Sequence, residues 1–313
     1  MDFKSSSDLQ IFLLLLLASI AFPFIWARDL HDIKKSQLLF PQHLLGSSKG
    51  HNIEGIHTIK MHLQRYGYLS KNYNIIDTNG AYNNAFDDHL ESAIKKYQMF
   101  FKLPKSGVLD METLHQMSQA RCSVPDIFEN NENETSVTTS NLHIGSKYTF
   151  FPGRVKWPDS LNYRLTYALV NNFPEEFKES VRTAFEIWYG RSRFNFTEVS
   201  ENEGGNIRIS FERGVHGDYH PFTKNSKTLA HTFAPIDGRF HFNADKPFSV
   251  DVTYNAYHLR TVALHELGHA FGLAHSPSED AIMFPTIPTN LEKDLDMDDI
   301  EGLWELYDGF GVA

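Results

Sequence analysis

Near its C-terminal end the chain reads HELGHAFGLAH, from His265 to His275, with three histidines and one glutamate inside eleven residues. His265 and His269 stand four residues apart in a stretch that predicts a helix from about His258 to Phe271. Their rings therefore leave one face, about 6 Å apart along the axis. Glu266 lies beside them, close enough to act on a water at a shared metal without ligating it. Gly272 suits a left-handed helix stop, after which the chain can fold back and present His275. Three neutral imidazoles with a fourth position open make a catalytic zinc geometry. A helix with surface histidines would produce these fixed positions by chance in roughly one of 10⁴ chains of this composition.

Two further groups could do chemistry. The segment HGDYHPFTKNSKTLAHTFAPIDGRFHF holds His216, Asp218, His231 and His241, and three histidines with a carboxylate suffice for a closed tetrahedral zinc site. His220 and His258 read as surface or packing residues. Cys122 is the one cysteine, so no internal disulfide can form.

These groups need elements to hold them. From about 55 to 118 the pattern is a small helical bundle. Ile56, Ile59, Leu63 and Tyr66 form one stripe, and Leu90, Ala93, Ile94, Tyr97 and Phe101 a second. Leu114 and Met117 lie on a third, shorter helix. The polar run ENNENETSVTTSNLHIGSK reads as an exposed linker open to proteolysis. Beyond about Tyr148 the texture is α+β. Leu161, Tyr163, Leu165 and Tyr167 alternate as a strand, and a helix starts near Pro174 with Phe177, Val181, Ala184, Phe185 and Trp188 on one face. NIRISF, TLAHTFAP and RFHFN are strands, and MDDIEGLWELY is a last helix.

The bulk composition narrows the partners. With 313 residues, 41% hydrophobic and 13% aromatic, the chain suits one or two domains plus processing segments. A formal charge of −10, from 29 basic and 39 acidic residues, argues against nucleic acid or an anionic membrane. Lys4, the apolar run IFLLLLLASIAFPFIWA and Ala27 read as a cleaved export signal, with Ala21 as an alternative cleavage point. Later stretches are too short or too polar to span a bilayer, and no lipid-anchor tail is expected. Asn133-Glu-Thr and Asn195-Phe-Thr are permissive glycosylation sequons.

HELGHAFGLAH followed by AIMFP resembles the metzincin zinc endopeptidases, with Met283 at the Met-turn of that clan. ESAIKKYQMFF, SGVLDMETL, RCSVPD, FFPGRVKWP, GRFHF and DDIEGLWELY narrow the resemblance to the compact plant-type matrix metalloproteinases. It implies an α+β catalytic domain, a twisted and mostly parallel sheet with three helices, behind a helical prodomain of peptidoglycan-binding-like type. The expected division is a signal peptide at 1–27, a propeptide at 28–147 and a catalytic domain at 148–313. The implied activity is peptide hydrolysis in extracellular proteins, with Glu266 as general base and the zinc of His265, His269 and His275. The resemblance implies a packing role for Met283 and places a structural zinc on His216, Asp218, His231 and His241. It also implies latency in residues 120–126: the Cys122 thiolate on the catalytic zinc, held by Arg121 and Asp126.

Three departures follow from the same resemblance. Ala120 stands where the family has proline, and Ser123 where it has glycine. If that glycine serves a positive φ or a close approach to the cleft, Ser123 strains the docked segment and latency leaks. At the family's calcium site, Thr223, Asn243 and Lys246 stand in place of the usual residues, and Asp245 alone would not restore it. The expected protein is a secreted, monomeric zymogen in the extracellular space or cell wall, inhibited by its own propeptide and acting on proteins or peptides. The competing reading is a non-catalytic extracellular or cell-wall binding protein that retains a zinc site. An intact Glu266 separates the two, since a binding protein has no physical need for it.

Overall fold

A computed structural model describes residues 39–77, 79–128, 148–223 and 226–308. The expected signal peptide and the whole polar linker, Asn133 included, lie outside the described residues.

The N-terminal unit packs three helices, α1 (Ile56–Arg65), α2 (Asp88–Phe100) and α3 (Met111–Met117). Asp87 and Asp110 cap α2 and α3 by accepting from Leu90 N–H and Thr113 N–H. The apolar stripes meet in a core of Leu44, Ile56, Ile59, Leu63, Leu90, Ile94, Tyr97 and Leu114, all almost wholly buried. This is the bundle the periodicity predicts.

The second unit is a five-stranded sheet in the order β2-β1-β3-β5-β4. Its strands are β1 (Arg164–Leu169), β2 (Asn195–Glu198), β3 (Ile207–Glu212), β4 (Ala230–Thr232) and β5 (Arg239–Asn243). All pairs are parallel except β4–β5, where His231 stands opposite His241. A short pair follows, β6 (Phe248–Ser249) with β7 (Tyr257–His258). Helices α4 (Glu175–Tyr189), α5 (Leu259–Ala270) and α6 (Met297–Tyr307) complete it. The first strand starts later than the alternation suggests. Leu161 ends a 3-10 turn, and Asn162 and Tyr163 take positive φ, so only Leu165 and Tyr167 of the alternating set lie on β1. Asn195 is exposed on the edge strand β2.

Helix α5 lies at the centre. Every residue from Leu259 to Ala270 except Arg260 is buried, which explains its weak amphipathic pattern. Trp188 of α4 donates its indole N–H to Leu264 O (3.1 Å), and Trp157 donates to Ala270 O (2.8 Å). Two tryptophans thus fix the helix that carries His265 and His269.

The two units interlock. Ala120 is packed in the core of the second unit, and Phe284 in the core of the bundle, edge-on to Phe101 at 5.6 Å. At this junction His62 is half-buried with its Nε2 enclosed, and desolvation, with Arg121 next, pushes its imidazole down to about 3. The unfolded chain protonates this group near 6.5, so the stability it contributes is complete above that pH and falls as pH drops toward 3. Between pH 7 and pH 5 the loss is about 2 kcal/mol. Denaturant midpoints of wild type and His62→Leu at both pH values should show a flatter pH dependence in the variant. Equal slopes would remove His62 as the cause.

Candidate metal centre

Gly272 has φ +104°, and a Cβ there would come within 2.4 Å of Val155 O. A glycine at this position therefore lets the chain leave α5 sharply and return His275 to the helix. All three rings are buried. His265 Nδ1 donates to Ile282 O (2.7 Å), His269 Nδ1 to Leu273 O (2.8 Å), and His275 Nδ1 to an Asp126 carboxylate oxygen (2.7 Å). These partners assign the proton to Nδ1 in each ring and leave each Nε2 as a lone pair.

The three lone pairs converge. His269 Nε2 lies 3.2 Å from His275 Nε2 and 3.4 Å from Cys122 Sγ, and His265 Nε2 is buried with no hydrogen-bond partner. One ligand atom from each of the four residues lies within 4.8 Å of every other. Tetrahedral zinc with nitrogen ligands separates them by about 3.4 Å, so the donor set and spacing fit that ion. Burial pushes the Cys122 thiol up, and neighbouring Glu266 pushes it further. A thiolate here therefore needs a cation beside it.

Glu266 is wholly buried. Its Oε2 accepts from Thr232 Oγ1 (2.9 Å), while its Oε1 makes no hydrogen bond of ordinary geometry. Burial raises the carboxyl to about 7. Thr232 is a positioning group that the sequence reading missed, because β4 and α5 meet only in the folded chain.

Beneath the rings, a Cβ on Gly268 would lie 2.2 Å from Met283 Sδ, so the thioether packs directly on the helix backbone. The turn carrying Met283 is pinned by Asp299 of α6, which accepts from Ile282 N–H (2.8 Å) and Met283 N–H (3.0 Å). Asp299 was also missed. In sequence it is one acid among several at a helix start, and only the two backbone N–H groups it accepts set it apart.

The second cluster is equally tight. Asp218 Oδ2 lies 2.9 Å from His216 Nε2, 2.6 Å from His231 Nε2 and 2.9 Å from His241 Nδ1. Burial pushes the Asp218 carboxyl up, but His220 N–H, His231 and His241 outweigh it and hold it well below the usual range. His231, mainly through burial, falls to about 3. Neutral imidazoles around a carboxylate fit a closed zinc site. His220 is exposed, and His258 is buried against Thr261 Oγ1 (2.9 Å), so neither joins a cluster.

Calcium fits poorly at the neighbouring position. Lys246 Nζ donates to Ser226 O, Asn243 Nδ2 donates to Thr228 O (2.8 Å), and Thr223 is exposed. A hard cation requires oxygens, and here donors face the loop.

Residues 120–123 run as an added strand between two walls. Arg121 N–H donates to Lys227 O, Ser123 N–H to Ala230 O, and Arg121 O accepts from Leu229 N–H. On the other side Cys122 N–H donates to Pro285 O, and Ile287 N–H to Ala120 O. Arg121 forms a buried bidentate pair with Asp126 (3.0 and 2.5 Å) and stacks 3.6 Å over Tyr66. The expectation of strain at Ser123 is overturned. Its φ is not positive, and its N–H is paired with β4, so a Cβ is tolerated.

Comparison with known proteins bears on this arrangement. A Matrixin family profile matches residues 156–308, and a profile described as "Putative peptidoglycan binding domain" matches 52–117. Metalloendoproteinase 2-MMP of Arabidopsis thaliana is 36% identical, over 84% of this chain and 73% of its own. Metalloendoproteinase 1 of Glycine max is 39% identical, over 82% and 83%. Interstitial collagenase of Sus scrofa is 36% identical, over 68% of this chain and 42% of its own.

Asp299→Ala should leave the buried Ile282 and Met283 N–H groups without their acceptor and destabilise the second unit by about 3 kcal/mol. Chemical denaturation checks this. A loss under about 1 kcal/mol would show that other groups hold the turn.

Proposed function

The chain belongs to the matrixin family and is a zinc-dependent endopeptidase, and from that premise we propose that it is a secreted zymogen acting on extracellular proteins. The observation that carries the reading is the convergence of three imidazole lone pairs on Cys122 Sγ, with Glu266 alongside. We assign the catalytic zinc to His265, His269 and His275, and a structural zinc to His216, Asp218, His231 and His241. When bound, the catalytic ion supplies Lewis acidity, lowering the pKa of a water and polarising a carbonyl.

The chain's own residues do the rest. Lys227, Leu229 and Ala230 on one wall and Pro285 and Ile287 on the other present main-chain groups to an extended segment. A substrate backbone can pair with those same groups once the propeptide has left. Thr232 fixes one oxygen of Glu266, so the other is free to take a proton from water. A carboxyl held near 7 can return that proton to the departing amine. In the proenzyme Cys122 fills this position, supported by Arg121 and Asp126. Among the described residues no helix is long and apolar enough to cross a membrane. We take the mature unit to begin near Tyr148, whose N–H donates to Asp298 and whose hydroxyl donates to Glu305 (2.6 Å). Asn195 is a glycan acceptor on this reading, as is Asn133.

Glu266→Ala should keep the zinc of both sites by elemental analysis and lower peptide turnover by about 10²–10⁴-fold. A zinc-loaded variant with near-normal turnover would overturn the role of Glu266.

Lys246 holds Ser226 O by an ammonium group, so removing calcium at fixed free zinc should leave the melting temperature unchanged. Lys246→Ala should lower it by about 2–4 °C. A large drop on calcium removal from the wild type would show that oxygen ligands bind the ion after all.

A further inference from the structure

The three histidines of the catalytic cluster are not held alike. His265 and His269 donate their outer N–H to carbonyls of the catalytic unit itself, Ile282 O and Leu273 O. His275 donates to Asp126, 149 residues away and on the propeptide side of the linker. That carboxylate is completely enclosed. Its two oxygens also take the Arg121 guanidinium and the Tyr68 hydroxyl (2.7 Å). The Arg121 guanidinium pairs with it on one side and the His275 ring N–H meets it on the other.

A carboxylate behind a ligating imidazole fixes its tautomer, orients the ring and raises its basicity. In this chain the propeptide supplies that carboxylate for one ligand of three. We propose that the propeptide is a working part of the metal centre: Asp126 is the outer partner of His275, and the docked chain holds the catalytic zinc more tightly for it. The inference rests on the zinc assignment made above and is separate from the sulfur contact. Cys122 reaches the ion's position directly, whereas Asp126 acts through His275 as a positioning residue. Docking the propeptide then has two effects on the same centre. It blocks the position that water needs, and it completes the support of a ligand that the catalytic unit leaves unsupported by its own carbonyls. Cleavage and release remove both at once.

The test uses the full chain in a Cys122→Ser background, which removes the sulfur ligand, with an added Arg121→Gln or Asp126→Asn change. Linker cleavage is prevented by Glu266→Ala in every protein. Zinc affinity is measured by competition with a chromogenic chelator, and the equivalent held by His216, Asp218, His231 and His241 serves as an internal reference. Asp126→Asn should weaken the catalytic equivalent by about 10–100-fold and leave the reference equivalent unchanged. Arg121→Gln weakens docking but keeps the carboxylate opposite His275, so its loss should be clearly smaller. Amide hydrogen exchange at residues 121–123, whose backbone N–H groups pair with Lys227 O, Pro285 O and Ala230 O in the docked chain, reports docking in each protein. An unchanged affinity in Asp126→Asn, or equal losses in the two variants, would overturn the proposal. If the parent protein binds no zinc at the catalytic cluster at all, it is the zinc assignment that fails.

Discussion

Three imidazole nitrogens and a sulfur that converge within 4.8 Å of one another in a dry cavity are a costly arrangement that a cation among them would relieve. Much of the catalytic unit serves to enforce that meeting. Each ring must have its other nitrogen tied, or it would turn and relieve the crowding. Each tie must come from a group that is itself immobile. Ile282 O is immobile because Asp299 clamps the turn around it, and Leu273 O because Gly272 sets the bend from α5. Met283 then fills the space beneath Gly268, where a side chain on the helix would not fit. The sheet contributes through β4, which places Thr232 against Glu266 and His231 opposite His241. One edge strand therefore serves both clusters, through the adjacent residues His231 and Thr232.

The same edge explains how the propeptide docks. A strand edge has unpaired main-chain groups, and residues 120–123 satisfy them on one side while pairing with the 285–287 segment on the other. Phe284, just before that segment, packs into the helical bundle, and Ala120 packs into the catalytic core. Each unit completes the other's apolar core with one residue. The cleft is thus closed by a surface that belongs to both, and not by a tail laid over a finished domain.

Legibility in the sequence followed the range of the interactions. The pattern from His265 to His275 is local: helix period, glycine stop and ligand types lie within eleven residues, and the structure brings all three histidines together. The helical stripes of the bundle and of α4 and α6 were legible for the same reason. The start of β1 was not, because Asn162 and Tyr163 adopt left-handed backbone that the apolar alternation does not encode. Thr232 and Asp299 were invisible because their importance lies in partners 34 and 16 to 17 residues away. The link from Asp126 to His275 spans 149 residues, and the resemblance pointed only to the pairing with Arg121. Ser123 was misread because the identity of a residue was taken to imply its φ.

That last point changes where latency would reside on the proposed zymogen reading. If a glycine were needed in the docked strand, the weak place would be Ser123. With its backbone unstrained, the segment is held by five main-chain hydrogen bonds, the sulfur contact and a buried carboxylate with three partners. Main-chain bonds at a strand edge are exchanged for water or substrate at modest net cost, each worth about 1 kcal/mol. The carboxylate differs. Removing Arg121 would leave a charge enclosed without compensation, a penalty of roughly 3–5 kcal/mol. Withdrawal of the propeptide must separate Asp126 from His275 while Arg121 and Tyr68 leave with it. The propeptide side therefore keeps its charge compensated throughout, and the uncompensated partner created by withdrawal is the N–H of a metal ligand. On the proposed zymogen reading, resistance to withdrawal is then set where residues 120–126 touch the histidine cluster, behind the ring as well as at the sulfur.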